Sequence, residues 1–197
     1  LVSQQERILK LTILSKGELR SQLAQQRHLF HQSADREHLA QQLKDVFSQH
    51  IFLKAPQVIV GYLPIHSEIN PMALLSHLEK EDHHLGLPIT KGNQLEFMAW
   101  APGEPLIQGK FGVFEPVQKV PLTPTVILMP LLGFDKQGNR LGYGKGYYDK
   151  ALAPLLLLAP VLKIGLAYDM QEVPFIPTDS HDQKLDWVIT PTKAWRF

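Results

Sequence analysis

Residues 126–132 read VILMPLL, residues 133–139 read GFDKQGN, and residues 140–149 read RLGYGKGYYD. The apolar run from Thr125 to Leu132 is short, rich in branched residues and bounded by turn residues, which is the pattern of a buried strand. The glycine-rich stretch then leads into a helical segment from Tyr147 to about Leu158, which Pro154 is expected to kink or shorten. Strand, loop and helix in this order predict an α/β arrangement, and the rest of the chain repeats the alternation.

Toward the amino terminus, Gln57 to Tyr62 holds VIVGY, a second buried strand, and Asn70-Pro71 supplies an N-cap and a first helical residue for the helix after it. Leu85–Ile89 and Leu95–Trp100 read as strands joined by the turn Lys91-Gly92-Asn93, and the proline- and glycine-rich stretch Ala101–Pro116 reads as loop over a site. Leu162–Ala167 and Trp187–Thr190 complete the strand set. Nearer the start, Ser15 and Glu18 have capping-box spacing, so a helix is expected from Lys16 with Leu19, Leu23 and Phe30 recurring at helical period. Ser33 is expected to cap another, with Leu39, Leu43 and Val46 inward and His50 near its end. The sum is a three-layer α/β/α sandwich with a mostly parallel sheet.

The chain has 197 residues, enough for one sizeable domain and too few for two separate cores, so residues 1–197 are expected to form a single domain with 1–14 as an amino-terminal extension. Its 44% hydrophobic and 20% charged residues are ordinary for a globular protein and exclude extensive disorder. A net charge of +1 without a basic block gives no electrostatic grip on nucleic acid. With no cysteine there is no disulfide, thiolate metal site or cysteine nucleophile. The run Ala151–Leu162 contains two prolines and is too short to span a bilayer, and Val2–Leu14 is interrupted by Glu6, Arg7 and Lys10. A cytoplasmic monomer that binds neither nucleic acid nor membrane is expected.

The chemistry concentrates in residues 140–149. Gly142, Gly144 and Gly146 lack a Cβ, so several backbone N–H groups can converge on one anion, with Arg140 and Lys145 to neutralise it. A helix starting at Tyr147 would aim its unpaired N–H groups the same way. Asp149 repels phosphate unless a cation intervenes, which points to Mg2+. The spacing fits neither the P-loop, since Gly146 follows Lys145, nor the dinucleotide fingerprint, which needs one more residue between the last glycines. A ligand-free glycine turn accounts for the spacing almost as well.

Glu68 lies in the loop Leu63–Ile69 after a strand, where open α/β sheets place ligands. Lys16 and Arg20 share a helix face, and on the residues alone they read as its solvated side. His28 with His31, and His83-His84, lack any partner pattern for a metal; His66 sits in the Glu68 loop; Asp182 and Asp186 decorate a loop before the last strand.

Residues 129–150, MPLLGFDKQGNRLGYGKGYYDK, closely resemble the signature of the 5-formyltetrahydrofolate cyclo-ligases, also called 5,10-methenyltetrahydrofolate synthetases. The likeness extends through Lys16-x-x-x-Arg20, LPIHSEINP around Glu68, FGVFEP at Phe111–Pro116 and KLDWVIT around Asp186. It implies a fold related to the isomerase, deaminase and CoA-transferase group, and ATP- and Mg2+-dependent cyclisation of 5-formyltetrahydrofolate. By resemblance, Lys16, Arg20, Arg140, Leu141, Gly142, Tyr143, Gly144, Lys145, Gly146, Tyr147 and Tyr148 meet ATP. Leu63, Glu68 and Phe111 meet the folate, together with the stretch from Gly144 to Tyr148. Arg140, Lys145 and Tyr148 stand at the reacting groups, and Asp149 and Asp186 hold Mg2+. Another N-formyl or amide substrate, or a non-catalytic folate or nucleotide binder, are the rival readings.

Overall fold

The computed structural model describes residues 14–54, 56–109 and 112–197. Helix α1 (Lys16–Ser33) starts at the expected capping box: the Ser15 hydroxyl accepts from the Glu18 amide, and the Glu18 carboxylate accepts from the Ser15 N–H at 2.9 Å. Ser33 ends α1 rather than capping the next helix, its hydroxyl donating to the Phe30 carbonyl. Asp35 caps α2 (Arg36–His50) instead by accepting from the His38 amide, and its negative charge suits the helix's positive end. Strand β1 (Val58–Val60) follows, then α3 (Met72–Lys80), which begins one residue later than expected. Pro71 occupies the cap position and Asn70 Oδ1 accepts from the Met72 amide at 3.0 Å.

Strands β2 (His84–Lys91) and β3 (Gln94–Ala99) form a hairpin whose turn places Gly92 at φ 64°. The stretch expected as loop over 101–116 contains a small antiparallel ribbon, β4 (Leu106–Gln108) with β5 (Phe114–Pro116). Three-residue strands with Ile107 and Phe114 exposed leave no alternating pattern to read. The chain continues through β6 (Val126–Pro130), the short pair β7 (Gly133–Phe134) and β8 (Arg140–Leu141), and α4 (Tyr147–Leu158). Strand β9 (Leu162–Leu166), a 3-10 turn at Asp169–Gln171, β10 (Trp187–Ile189) and β11 (Ala194–Arg196) complete it. Pro154 lies inside α4 without ending it, because it and Lys150, whose carbonyl loses its partner, are both at the surface and open to water.

The main sheet runs β11-β10-β9-β6-β1-β2-β3, with a parallel centre and an antiparallel strand at each edge. Successive residues of each inner strand face opposite layers. Ile59, Val126, Leu128, Ile164 and Ile189 pack with Leu43 and Phe47 of α2 and Leu74, Leu75 and Leu78 of α3. Val60, Ile127, Met129 and Val188 pack with Ala151 and Leu152 of α4. This is the expected three-layer sandwich. Helix α1 belongs to neither layer: Leu19 and Leu23 join Leu132, Leu141 and Ile176 in a separate cluster past the carboxyl end of β6. The expected extension over 1–14 lies outside the described residues except for Leu14, which packs on that cluster.

Candidate active site

Because β1, β6 and β9 are parallel, their carboxyl ends open on one edge, and the loops leaving them meet the polar residues of α1 there. Arg20 Nε donates to the Gly142 carbonyl at 2.9 Å. Its guanidinium also lies against Gly144, which has φ +94°, and a Cβ there would stand 3.1 Å from Arg20 Cζ. Gly146, at φ +63°, is the N-cap of α4. Both positions therefore require glycine, whereas a Cβ on Gly142 would meet nothing.

Arg140 Nη2 pairs with Asp149 Oδ1 at 2.8 Å, its guanidinium carbon sits 5.6 Å from the Tyr148 ring centre, and its buried Nε has no partner. The Gln183 amide also donates to Asp149 Oδ1, at 3.2 Å. Burial raises the Tyr148 hydroxyl above its ordinary range, with the negative charge of Glu68 adding to it and Arg140 opposing. Lys145 Nζ lies 5.9 Å from the Tyr147 ring, and its carbonyl accepts from Lys150 Nζ at 3.3 Å. Leu141 is buried in the α1 cluster, so only its backbone can reach a ligand.

Lys16 Nζ is gripped by Asp179 at 2.5 Å and Asp182 at 2.6 Å. Burial pulls the ammonium's pKa down, but hydrogen bonds and charge from the two aspartates outweigh it and leave it raised. Burial likewise pushes Asp182 up, and hydrogen bonds from Lys16 and the Asp179 amide, with the charges of Lys16 and His181, more than reverse it. Asp186 is engaged elsewhere: at the amino end of β10 its carboxylate accepts from the Lys163 amide at 2.7 Å and pairs with Lys163 Nζ at 2.9 Å.

On the other side of the edge, the 61–71 loop folds back through His66 at φ 53°, burying Glu68 to 4% exposure. Glu68 Oε2 accepts from the Ile65 amide at 2.9 Å, while buried Oε1 has no hydrogen-bond partner. Burial drives the carboxyl up to about 7, against the lowering pull of the Ile65 amide, Arg27 and Tyr143. Leu63 is half-buried against the same layer, and Phe111 lies outside the described residues. A groove of about 1080 Å³ runs from Glu68 between α2 and α3, with His31, Arg36, His66, Met72 and Tyr168 among its walls.

Arg27 is the residue that sequence reasoning missed. It is 1% exposed, and its guanidinium donates to Ser67 Oγ at 3.1 Å, to the Leu131 carbonyl at 2.9 Å and to the Tyr143 hydroxyl. It lies seven residues after Arg20 and so on nearly the same helix face, which is the signal that could have found it.

Residues 12–191 match the 5-formyltetrahydrofolate cyclo-ligase family. The chain belongs to that family. A cyclo-ligase of Haemophilus influenzae is 38% identical over 136 residues, covering 64% of this chain and 72% of its own. One from Mycolicibacterium smegmatis is 31% identical and covers 91% of this chain and 95% of its own. The solved structure of the Aquifex aeolicus 5,10-methenyltetrahydrofolate synthetase superimposes with a TM-score of 0.75 at 30% identity, covering 92% of each chain. The cyclo-ligase resemblance read from the sequence is thus borne out, and so is the fold class. No helix among the described residues is long and apolar enough to cross a membrane.

Proposed function

We propose that this cyclo-ligase closes 5-formyltetrahydrofolate to 5,10-methenyltetrahydrofolate at the expense of ATP, releasing ADP and phosphate. The observation that carries this reading is the opposition, at one sheet edge, of a cation-lined glycine loop and a buried carboxylate with an unused oxygen. The first suits a polyphosphate and the second an N–H-bearing ring.

The formyl carbonyl is amide-like and a poor electrophile. Transfer of the γ-phosphoryl group from ATP to its oxygen releases ADP and converts that oxygen to a leaving group; N10 of the same folate attacks the carbon and gives up its proton, and the C–O bond breaks as phosphate departs. Phosphoryl transfer asks the protein for position and positive potential rather than a nucleophile. Lys16, Arg20, Arg140 and Lys145 supply that potential, with the backbone of 141–148 around the phosphates. Glu68 orients the folate beside Leu63, and Tyr148 lies between the two subsites.

Mg2+ would screen charge on the phosphates. The donor set fits it: Asp149 Oδ1 is engaged by Arg140 and Gln183, and Oδ2 makes no hydrogen bond among the described residues. We assign the second carboxylate to Asp182, next to Gln183, in preference to Asp186: Lys16 and the Asp179 amide occupy only Asp182 Oδ2, and Oδ1 makes no hydrogen bond among the described residues, whereas Lys163 engages both oxygens of Asp186. The protein is proposed to act as a cytoplasmic monomer.

The test is ADP release, with methenyl absorbance followed in parallel, with and without 5-formyltetrahydrofolate and Mg2+. Product only with all three reactants is expected. ADP release that ignores the folate would overturn the reading, and the same assay with other N-formyl compounds separates it from a sister activity.

A further inference from the structure

We infer that Arg27 and Tyr143 form a latch that ties the glycine loop to the Glu68 loop and so positions Glu68 for the folate. The inference rests on the folate reading above only for what Glu68 meets.

Three segments far apart in sequence converge on one guanidinium. Ser67 precedes Glu68 in the loop after β1, Leu131 follows the last residue of β6, and Tyr143 sits between the glycines. Arg27 makes no ion pair among the described residues: its hydrogen-bond acceptors are all neutral, and the carboxylate that feels its charge, Glu68, is not bonded to it. Such a site is costly unless the charge does something. Tyr143 is 42% exposed, its ring beside that of His66 with centres 6.0 Å apart, and its hydroxyl is turned inward to Arg27. A hydroxyl that accepts from Arg27 has its own hydrogen left to offer toward Glu68, and both residues hold the Glu68 carboxyl down against burial. The other titratable groups around Glu68 are Tyr62 and His66 of its own loop, Tyr148 of α4, His31 of α1 and Tyr168. None of these is both cationic and buried, so Arg27 is the charge that acts on it. Arg27 and Tyr143 are positioning residues, since neither needs to touch the reacting atoms.

The latch predicts that Tyr143→Phe, which removes one oxygen from a surface ring, alters a loop 75 positions earlier in the chain. Amide hydrogen exchange over 63–70 should quicken by about tenfold, the usual size for losing a charge-assisted hydrogen bond. In the cyclo-ligase assay, the acid limb of kcat/KM for the folate should move to higher pH, because Glu68 loses a group that favours its ionised form. Arg27→Lys, which keeps the charge but not the fork, should leave the limb near its wild-type pH while exchange over 63–70 still quickens. Unchanged exchange in Tyr143→Phe overturns the latch whatever the enzyme turns over, and so does a limb that stays at its wild-type pH in that variant. Absence of methenyl product from the wild-type protein overturns the folate reading instead, and the exchange measurement still decides the latch.

Discussion

Glu68 holds its proton more tightly folded than unfolded, since burial lifts its carboxyl from 4.5 to about 7. A raised carboxyl contributes its full stability below pH 4.5 and loses it as the pH climbs through about 7, so at pH 8 it destabilises the fold by about 3 kcal/mol relative to acid. Glu68→Gln should therefore be more stable than wild type at pH 8, by an amount of that order, with the advantage gone near pH 4; denaturant titrations at the two values check it. Turnover should fall at the same time, as expected where a buried functional group is kept against stability. At this scale too, Asp149→Ala should abolish Mg2+-dependent turnover with circular dichroism unchanged. Asp182→Asn should raise the Mg2+ requirement more than Asp186→Asn does, and the reverse order would return the metal to Asp186. The charged residues of the glycine loop stood out in the sequence, but their spacing alone left a ligand-free turn almost as good an account, and only the family resemblance separated the two. Arg27 did not stand out, because an arginine on an amphipathic helix reads as solvated until the loops that bury it are in place.

Helix α1 shows how an element can be legible in extent and opaque in purpose. Its capping box fixed the start at Lys16, yet nothing in its periodicity says that the polar side faces the loops at the sheet edge. Lys16, Arg20 and Arg27 all point into the site while Leu19 and Leu23 hold the helix down. Leu23→Ala should therefore cost about 2–5 kcal/mol, as buried leucines do, and also raise the KM for ATP more than that for folate. Thermal melts and initial rates test the two halves of that statement. Its companion α2 was given the wrong cap, because Ser33 and Asp35 are both competent and only the helix dipole separates them. The β4–β5 ribbon escaped notice for a different reason: three residues per strand carry too little pattern for period to register.

Across the whole molecule, the order β11-β10-β9-β6-β1-β2-β3 collects the loops after β1, β6 and β9 at one edge, where α1 roofs them. The loops after β6 and β9 are joined by backbone hydrogen bonds, from the Val173 amide to the Phe134 carbonyl at 2.8 Å and from the Leu185 amide to the Gly138 carbonyl at 2.9 Å, and a ligand bound at that edge would tie α1 and the loop after β1 to them. ATP with Mg2+ at about 100 times its dissociation constant should add about 2.7 kcal/mol, which for a domain of this size is roughly 5–10 °C in Tm. Adding folate as well should raise the midpoint beyond either ligand alone; a folate increment indifferent to ATP would argue against a shared edge. Sheet order could not be read from the strands themselves, because the inner ones are alike in being apolar and only pairing decides their neighbours. The contact from Lys16 to Asp182 spans 166 positions and joins almost the first described helix to almost the last loop. A chain emerging from the ribosome amino end first must carry α1 undocked, its Leu19 and Leu23 uncovered, until nearly all of the sequence has been made. Synthesis therefore docks α1 in a late event, and a nascent chain stalled short of Asp179 would have five of the seven strands of the main sheet and no grip for Lys16.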